Sequence, residues 1–169
     1  MTEGDIDRSL NRIAHEMLEE NKGVEGLALV GIHTRGVYLA RRLRDKIEQI
    51  EGVHIPIGSM DITLYRDDLD SLEQQPAVKQ TAIDFDITDK RIVLVDDVLY
   101  TGRTVRAAID ELIDFGRPRK IQLAVLLDRG ERELPIAPDY IGRQIQVQPN
   151  QRVQLRLKEV DGVDQVEII

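Results

Sequence analysis

The chain's 169 residues are about the length of one domain, and 41% hydrophobic with 32% charged residues exclude both a disordered tract and a fibrous repeat. The absence of cysteine removes disulfides, thiolate nucleophiles and zinc–cysteine sites together. A net charge of −8 gives no bulk attraction to nucleic acid, so any such binding needs a local basic face.

The opening MTEGDIDRSL has neither the basic region nor the apolar stretch of a targeting segment, and no run approaches the roughly 18 apolar residues of a membrane span, so a cytoplasmic protein is expected. Asp5 offers an N-cap for a helix whose apolar side is Ile6, Leu10, Ile13, Ala14, Met17 and Leu18, ending at Asn21 to Gly23. LALVGI (Leu27 to Ile32) is a continuous apolar run, the pattern of a strand covered on both faces. Gly36 then opens a helix carrying Val37, Leu39, Ala40, Leu43 and Ile47 that stops before Gly52.

VHIPIGSMDITL (Val53 to Leu64) alternates loosely and predicts a strand, broken or edged at Pro56. YRDDLDSLEQQPAVKQ is acid-rich with almost no core residues, a long polar loop of the kind that tends to be functional or mobile. RIVLVDDVL (Arg91 to Leu99) is the clearest buried strand. After Tyr100 to Arg103 comes a helix with Val105, Ala108, Ile109, Leu112 and Ile113, closed by Gly116 and Pro118. KIQLAVLLD (Lys120 to Asp128) is a further strand, and RVQLRLKEV with DQVEII predicts antiparallel strands around Asp161-Gly162. Strand–helix alternation over the first three quarters predicts an α/β fold with a mostly parallel central sheet flanked by helices, all in one domain over residues 1–169, and a small β extension over 145–169.

In open α/β sheets ligands sit beyond the carboxyl ends of the strands, which directs attention to VLVDDVLYTGRTV. Tyr100-Thr101-Gly102-Arg103-Thr104 joins a strand to a helix N-terminus, where free N–H groups and the helix dipole favour an anion. Gly102 permits close backbone approach, Thr101 and Thr104 add hydroxyls, and Thr104 is a reasonable N-cap. Neither GxxxxGK[ST] nor GxGxxG occurs, which argues for one phosphate monoester rather than a polyphosphate tail. Asp96-Asp97 stands immediately before this cradle. Carboxylates repel phosphate, so a ligand fitting both must carry an anion and, a few ångströms away, hydroxyls or a metal; a ribose 5-phosphate satisfies this. A lone Asp-Asp at a strand end is more often a cap beside a plain turn, and it is the combination with TGRT that reverses the balance.

VLVDDVLYTGRT resembles the phosphoribosyl-diphosphate motif of type I phosphoribosyltransferases. With DITLYRDDL, GIHTRGVYLA and DRGERELPI the chain resembles the bacterial PyrR family, pyrimidine-operon attenuators that are also uracil phosphoribosyltransferases, over roughly residues 6–142. The resemblance implies the type I phosphoribosyltransferase fold and the conversion of uracil and phosphoribosyl diphosphate to UMP and pyrophosphate. Asp96 and Asp97 would then hold the ribose hydroxyls and Thr101 to Thr104, next to Tyr100, the 5′-phosphate. Thr34, Arg35 and Gly36 would form the pyrophosphate loop, where Arg35 offers a fork for a diphosphate but is also an ordinary helix-start arginine.

DITLYRDDL would begin a flexible loop over residues 63–80, with Arg66 reaching the leaving pyrophosphate and Tyr65 covering the site; Asp67 and Asp68 have a surface role at least as readily. Asp128, Arg129 and Gly130 would read the uracil edge, although Asp128-Arg129 is also a natural internal ion pair. Mg²⁺ carried by the diphosphate is implied as cofactor, with Asp96 as the chain's own candidate ligand.

Regulatory members bind a messenger-RNA leader through a basic concave dimer face and respond to uridine nucleotides, which also implies a homodimer or higher homo-oligomer. Arg8, Arg12 and His15 lie on one side of the first helix, and Arg132 and Arg143 join them as candidate RNA contacts. Against them, Glu20, Ala137, His33 and Asn11 stand where attenuators carry a basic residue, arginine, lysine and threonine. His15, a lone histidine beside a helix stripe, is more often a surface or packing residue than an RNA contact. Three readings stay open: a uracil transferase with weakened attenuation, an RNA-binding attenuator with slow catalysis, and a purine-base transferase, the last disfavoured by DITLYRDDL and DRGERELPI.

Overall fold

The computed structural model describes residues 1–62 and 81–169. The loop expected over residues 63–80, with Tyr65, Arg66, Asp67 and Asp68, lies outside the described residues. Elements follow as α1 (Glu3–Glu20), β1 (Leu27–Ile32), α2 (Arg35–Glu51), β2 (Ile57–Met60), β3 (Arg91–Leu99), α3 (Arg103–Ile113), β4 (Lys120–Asp128), β5 (Tyr140–Gln144), β6 (Val153–Arg156), α4 (Lys158–Asp161) and β7 (Gln165–Ile168). No helix among the described residues is long and apolar enough to cross a membrane.

The five-stranded sheet has the order β2-β1-β3-β4-β5 with every pairing parallel, and β6 and β7 form a separate antiparallel pair. Strands β1, β3 and β4 take the bounds their apolar runs predict, because side chains of both parities are buried. Leu27, Leu29, Val93, Val95, Ala124 and Leu126 face the core shared with α1 and α2, while Ala28, Val30, Ile92, Leu94, Leu123 and Val125 pack against the face carrying α3. The chain runs from β1 outward to β2, then returns to place β3 on the other side of β1, so the order reverses between β1 and β3. The crevice at their carboxyl ends is the place where this topology leaves room for a ligand.

Several expectations are corrected. The N-cap of α1 is Thr2, not Asp5. The Asp5 N–H donates to Thr2 Oγ1 (3.2 Å) and the Thr2 N–H to Asp5 Oδ2 (2.9 Å), a reciprocal box that places the acid at the third helical position. The cap of α3 is Gly102 rather than Thr104. Of the strand expected over Val53 to Leu64, the described residues form only Ile57–Met60, after Pro56, while Thr63 and Leu64 lie outside the described residues. The tail strand expected over Arg152 to Val160 ends at Arg156, giving way to the single turn α4.

Strand β5 escapes the sequence pattern because it is short and carries Gly142, which reads as a breaker. That glycine is required: a Cβ there would stand 2.4 Å from the Leu126 carbonyl oxygen of β4. A buried network ties β5 inward, with Asn21 Nδ2 donating to Gln122 Oε1 (3.0 Å) and the Tyr140 hydroxyl donating to the same oxygen (3.1 Å).

The C-terminal hairpin is tied to α2 rather than to the sheet. Arg42 donates to Glu159 from Nε (2.8 Å) and Nη2 (2.6 Å), and to Asp164 from Nη1 (2.9 Å) and Nη2 (2.8 Å). Hydrogen bonding to Arg42 holds the Glu159 carboxyl below its ordinary value against partial burial. A carboxyl depressed in the folded state stabilises the fold above its unfolded pKa, and that contribution disappears as pH falls through the folded value. Arg42→Gln is expected to lower the thermal midpoint at pH 7 by about 3–6 °C. The gap to the parent should narrow between about pH 5 and pH 3, and a gap independent of pH in calorimetry would contradict the clamp.

Candidate active site

A cleft of about 380 Å³ opens at the β1–β3 crevice. Its lining includes Arg35, Asp96, Asp97, Tyr100, Thr104 and Arg129 from the sheet side, and Arg156 and Asp161 from the C-terminal hairpin. Parallel pairing of β1 with β3, in register from Leu27 opposite Arg91 to Gly31 opposite Val95, brings the loop after one strand beside the carboxylates at the end of the other.

Gly36 makes this approach possible. A Cβ on it would lie 2.5 Å from the Val95 carbonyl oxygen and 3.2 Å from Asp96 Cα, so the first turn of α2 rests directly on the strand that carries the acid pair. The peptide between His33 and Thr34 is cis, and Thr34 is the N-cap residue of α2. Asp96 is 3% exposed, and its Oδ1 accepts the Asp97 N–H (2.8 Å). Asp97 is half-buried, with Oδ1 accepting the Val98 N–H (2.8 Å). Both acids are therefore held by the backbone that follows them.

The next turn is built as an anion cradle. Gly102 has φ +95°, the left-handed region that favours glycine, and α3 starts directly after it. Thr101 Oγ1 accepts the Arg103 N–H (3.2 Å), while Thr104 lines the cleft. Arg103 Nε donates to Glu133 Oε2 (2.7 Å) in the segment after β4.

The segment after β4 locks the cradle in place. Glu133 and Leu134 donate their N–H groups to the Thr101 carbonyl (2.9 and 3.1 Å). Arg132 joins Asp128 through Nη1 to Oδ1 (2.9 Å) and Nη2 to Oδ2 (2.8 Å), and also reaches the carbonyls of Tyr100 (2.9 Å) and Ile136 (2.8 Å). The Arg132 hydrogen bonds, opposed by partial burial, hold the Asp128 carboxyl below its ordinary value. The internal pair is thus Asp128–Arg132 and not Asp128–Arg129. Both Asp128 oxygens are occupied, Oδ1 also by the Gly130 N–H (3.0 Å). Arg132 is correspondingly engaged inside the molecule.

Arg129 stacks over Tyr100, its guanidinium carbon 3.9 Å from the ring centroid. Its Nε–H is buried with no partner among the described residues, and an orphaned buried donor at a cleft wall is a place for a ligand acceptor. Arg35 is bidentate on Asp161, with Nη2 to Oδ1 (2.9 Å) and Oδ2 (3.1 Å) and Nε to Oδ2 (3.3 Å). Asp161 and Arg156 are cleft residues that sequence reasoning missed. Only the Asp-Gly turn hinted at Asp161, and nothing local connects it to a residue 126 positions earlier.

On the remaining candidates, Arg12 donates from Nη2 to the carbonyls of Ile141 and Gly142 (both 2.7 Å) and pairs with Glu16 (3.3 Å). His15 and Arg143 are exposed. Glu16, Glu19 and Glu20 of the same helix as His15 line one acidic hollow with Asp139.

This combination of parallel sheet, acid pair and glycine cradle is that of a phosphoribosyltransferase. The family model described as "Phosphoribosyl transferase domain" matches residues 4–159, and the chain belongs to that family. Within it the chain is of the PyrR type. It is 55% identical to "Bifunctional protein PyrR" of Deinococcus radiodurans over 99% of this chain and 92% of that one. It is also 58% identical to the protein of the same name from Acetivibrio thermocellus, over 99% and 91%. The solved hypoxanthine phosphoribosyltransferase of Trypanosoma cruzi shares the fold at TM-score 0.69 and 19% identity, covering 90% of this chain and 82% of that one.

Proposed function

We propose that this chain transfers the phosphoribosyl group of phosphoribosyl diphosphate to uracil, and that the reaction takes place at the carboxyl ends of β1 and β3. The observation that carries the reading is the acid pair Asp96–Asp97 set directly before the Gly102 cradle in one cleft with Arg35. The carboxylates take the ribose hydroxyls, the first-turn N–H groups and Thr104 take the 5′-phosphate, and Arg35 lies toward the diphosphate. The C1′ bond to the diphosphate oxygen breaks as the uracil N1 bond to C1′ forms, and the N1 proton leaves. Positive charge develops on the sugar while negative charge moves to the diphosphate. Help is therefore positional and electrostatic, and the carboxylates of Asp96 and Asp97 stand where the sugar becomes cationic.

Uracil is read from the other wall. The orphaned Nε–H of Arg129 meets a ring carbonyl, and Tyr100 fixes the guanidinium plane. Asp128 supports this wall through Arg132 and does not itself touch the base.

A divalent cation suits the cleft in one manner only. Among the described residues no group of three potential ligands is gathered; one or two of the carboxylates that line the cleft, with substrate oxygens, match the way Mg²⁺ is usually bound. Asp96 or Asp97 would hold it, and its chemistry would be to offset charge on the leaving diphosphate.

We further propose that leader-RNA binding is weakened in this chain. Arg132 is consumed internally, Arg12 caps the β5 carbonyls, and the helix that carries His15 also lines the acidic hollow. Every RNA phosphate left without a cationic partner lowers the electrostatic part of the affinity.

Steady-state assays with uracil, hypoxanthine and guanine are expected to give nucleotide from uracil alone, and Asp97→Asn, folded as the parent, is expected to lose about a hundredfold in turnover. Undiminished turnover in Asp97→Asn, or preference for a purine, would overturn the assignment. Gel-shift titration against the leader of its own pyrimidine genes at physiological salt is expected to show only weak, unselective binding. Selective binding below about 1 µM would contradict the weakened face.

A further inference from the structure

The cleft holds three arginines, Arg35, Arg129 and Arg156, against three aspartates, Asp96, Asp97 and Asp161. Formal neutrality is a poor host for a sugar bearing a phosphate and a diphosphate, so how each cation is engaged matters. Arg35 is already bidentate on Asp161, which cancels its charge locally. Arg129 lies flat on Tyr100 at the base wall. Arg156 differs from both.

Arg156 is half-buried on β6, opposite Gln165 across the hairpin. Its hydrogen-bond partner is neutral, with Nη2 donating to Gln154 Oε1 (3.2 Å), and Gln154 lines the cleft as well. Arg156 also acts through space on the Asp161 carboxylate that grips Arg35, helping to hold it below its ordinary value. Arg156 thus stands on the hairpin that also carries Asp161, the residue that grips Arg35. The Arg156 guanidinium has donors to spare, and no carboxylate among the described residues is bound to it.

We propose that Arg156 is a binding residue for the diphosphate of the phosphoribosyl donor and for the pyrophosphate released. This rests on the transferase reading above and adds a residue from the C-terminal hairpin to it. With Arg35 and Asp161 neutral as a pair, Arg156 supplies the net positive charge on that side of the cleft. Removing it leaves the cleft formally negative, which penalises a polyanion more than a neutral base. The hairpin clamped by Arg42 is then part of the binding machinery and not a bystander.

The test is calorimetric titration of inorganic pyrophosphate with Mg²⁺ into the full chain and into Arg156→Gln and Arg156→Lys, paired with steady-state kinetics. Arg156→Gln is expected to weaken pyrophosphate binding about tenfold or more and to raise KM for phosphoribosyl diphosphate similarly, with the melting midpoint near the parent's. KM for uracil should not move, and Arg156→Lys should recover part of the loss. Parent-like pyrophosphate affinity in Arg156→Gln, or a KM rise confined to uracil, would overturn the proposal while leaving the transferase reading intact. A parent protein that binds neither pyrophosphate nor phosphoribosyl diphosphate would overturn both.

Discussion

Two carboxylates stand one turn before a backbone cradle made for an anion, and the remainder of the cleft resolves the conflict between them. The conflict is tolerable only if something cationic or rich in hydroxyls lies between acids and phosphate, which is why a phosphorylated sugar fits and a bare phosphate does not. Both acids are oriented by the N–H groups that follow them, Asp97 for Asp96 and Val98 for Asp97. Gly36 brings the first turn of α2 against the same strand, and Gly102 turns the chain left-handed into α3. Small residues at two points thus set three functional segments within one crevice.

The walls are stiffened by arginines that touch no proposed ligand. Arg132 gathers Asp128 and the carbonyls of Tyr100 and Ile136, fastening the segment after β4 to the cradle. Arg42 performs a parallel service for the C-terminal hairpin, joining Glu159 and Asp164 to α2. The exposed cationic surface of this acidic chain is reduced accordingly, and a face expected to be basic adjoins a hollow of four carboxylates.

Much of this was legible in the sequence because the chemistry of phosphate and sugar is local. Asp96-Asp97 and Thr101 to Thr104 are contiguous, and Leu27–Ile32, Arg91–Leu99 and Lys120–Asp128 are apolar runs long enough to define buried strands. Helix starts were less legible, since Thr2 and Asp5 are both good caps and only hydrogen-bond geometry decides between them. Arg129 was visible as a residue, but the i, i+4 spacing of Asp128 and Arg132 outcompeted the adjacent pair once the loop folded back. Arg156, Asp161 and β5 were illegible for a common reason. Their meaning comes from juxtapositions across the whole chain, such as Arg35 with Asp161 and Arg12 with the carbonyls of Ile141 and Gly142.

The most direct measurement is a crystal structure with UMP bound. The account predicts the 5′-phosphate against the N–H groups that follow Gly102, both ribose hydroxyls within hydrogen-bond distance of Asp96 or Asp97, and a uracil carbonyl at Arg129 Nε. A nucleotide bound elsewhere, or seated in the cleft with its ribose turned away from both aspartates, would contradict it.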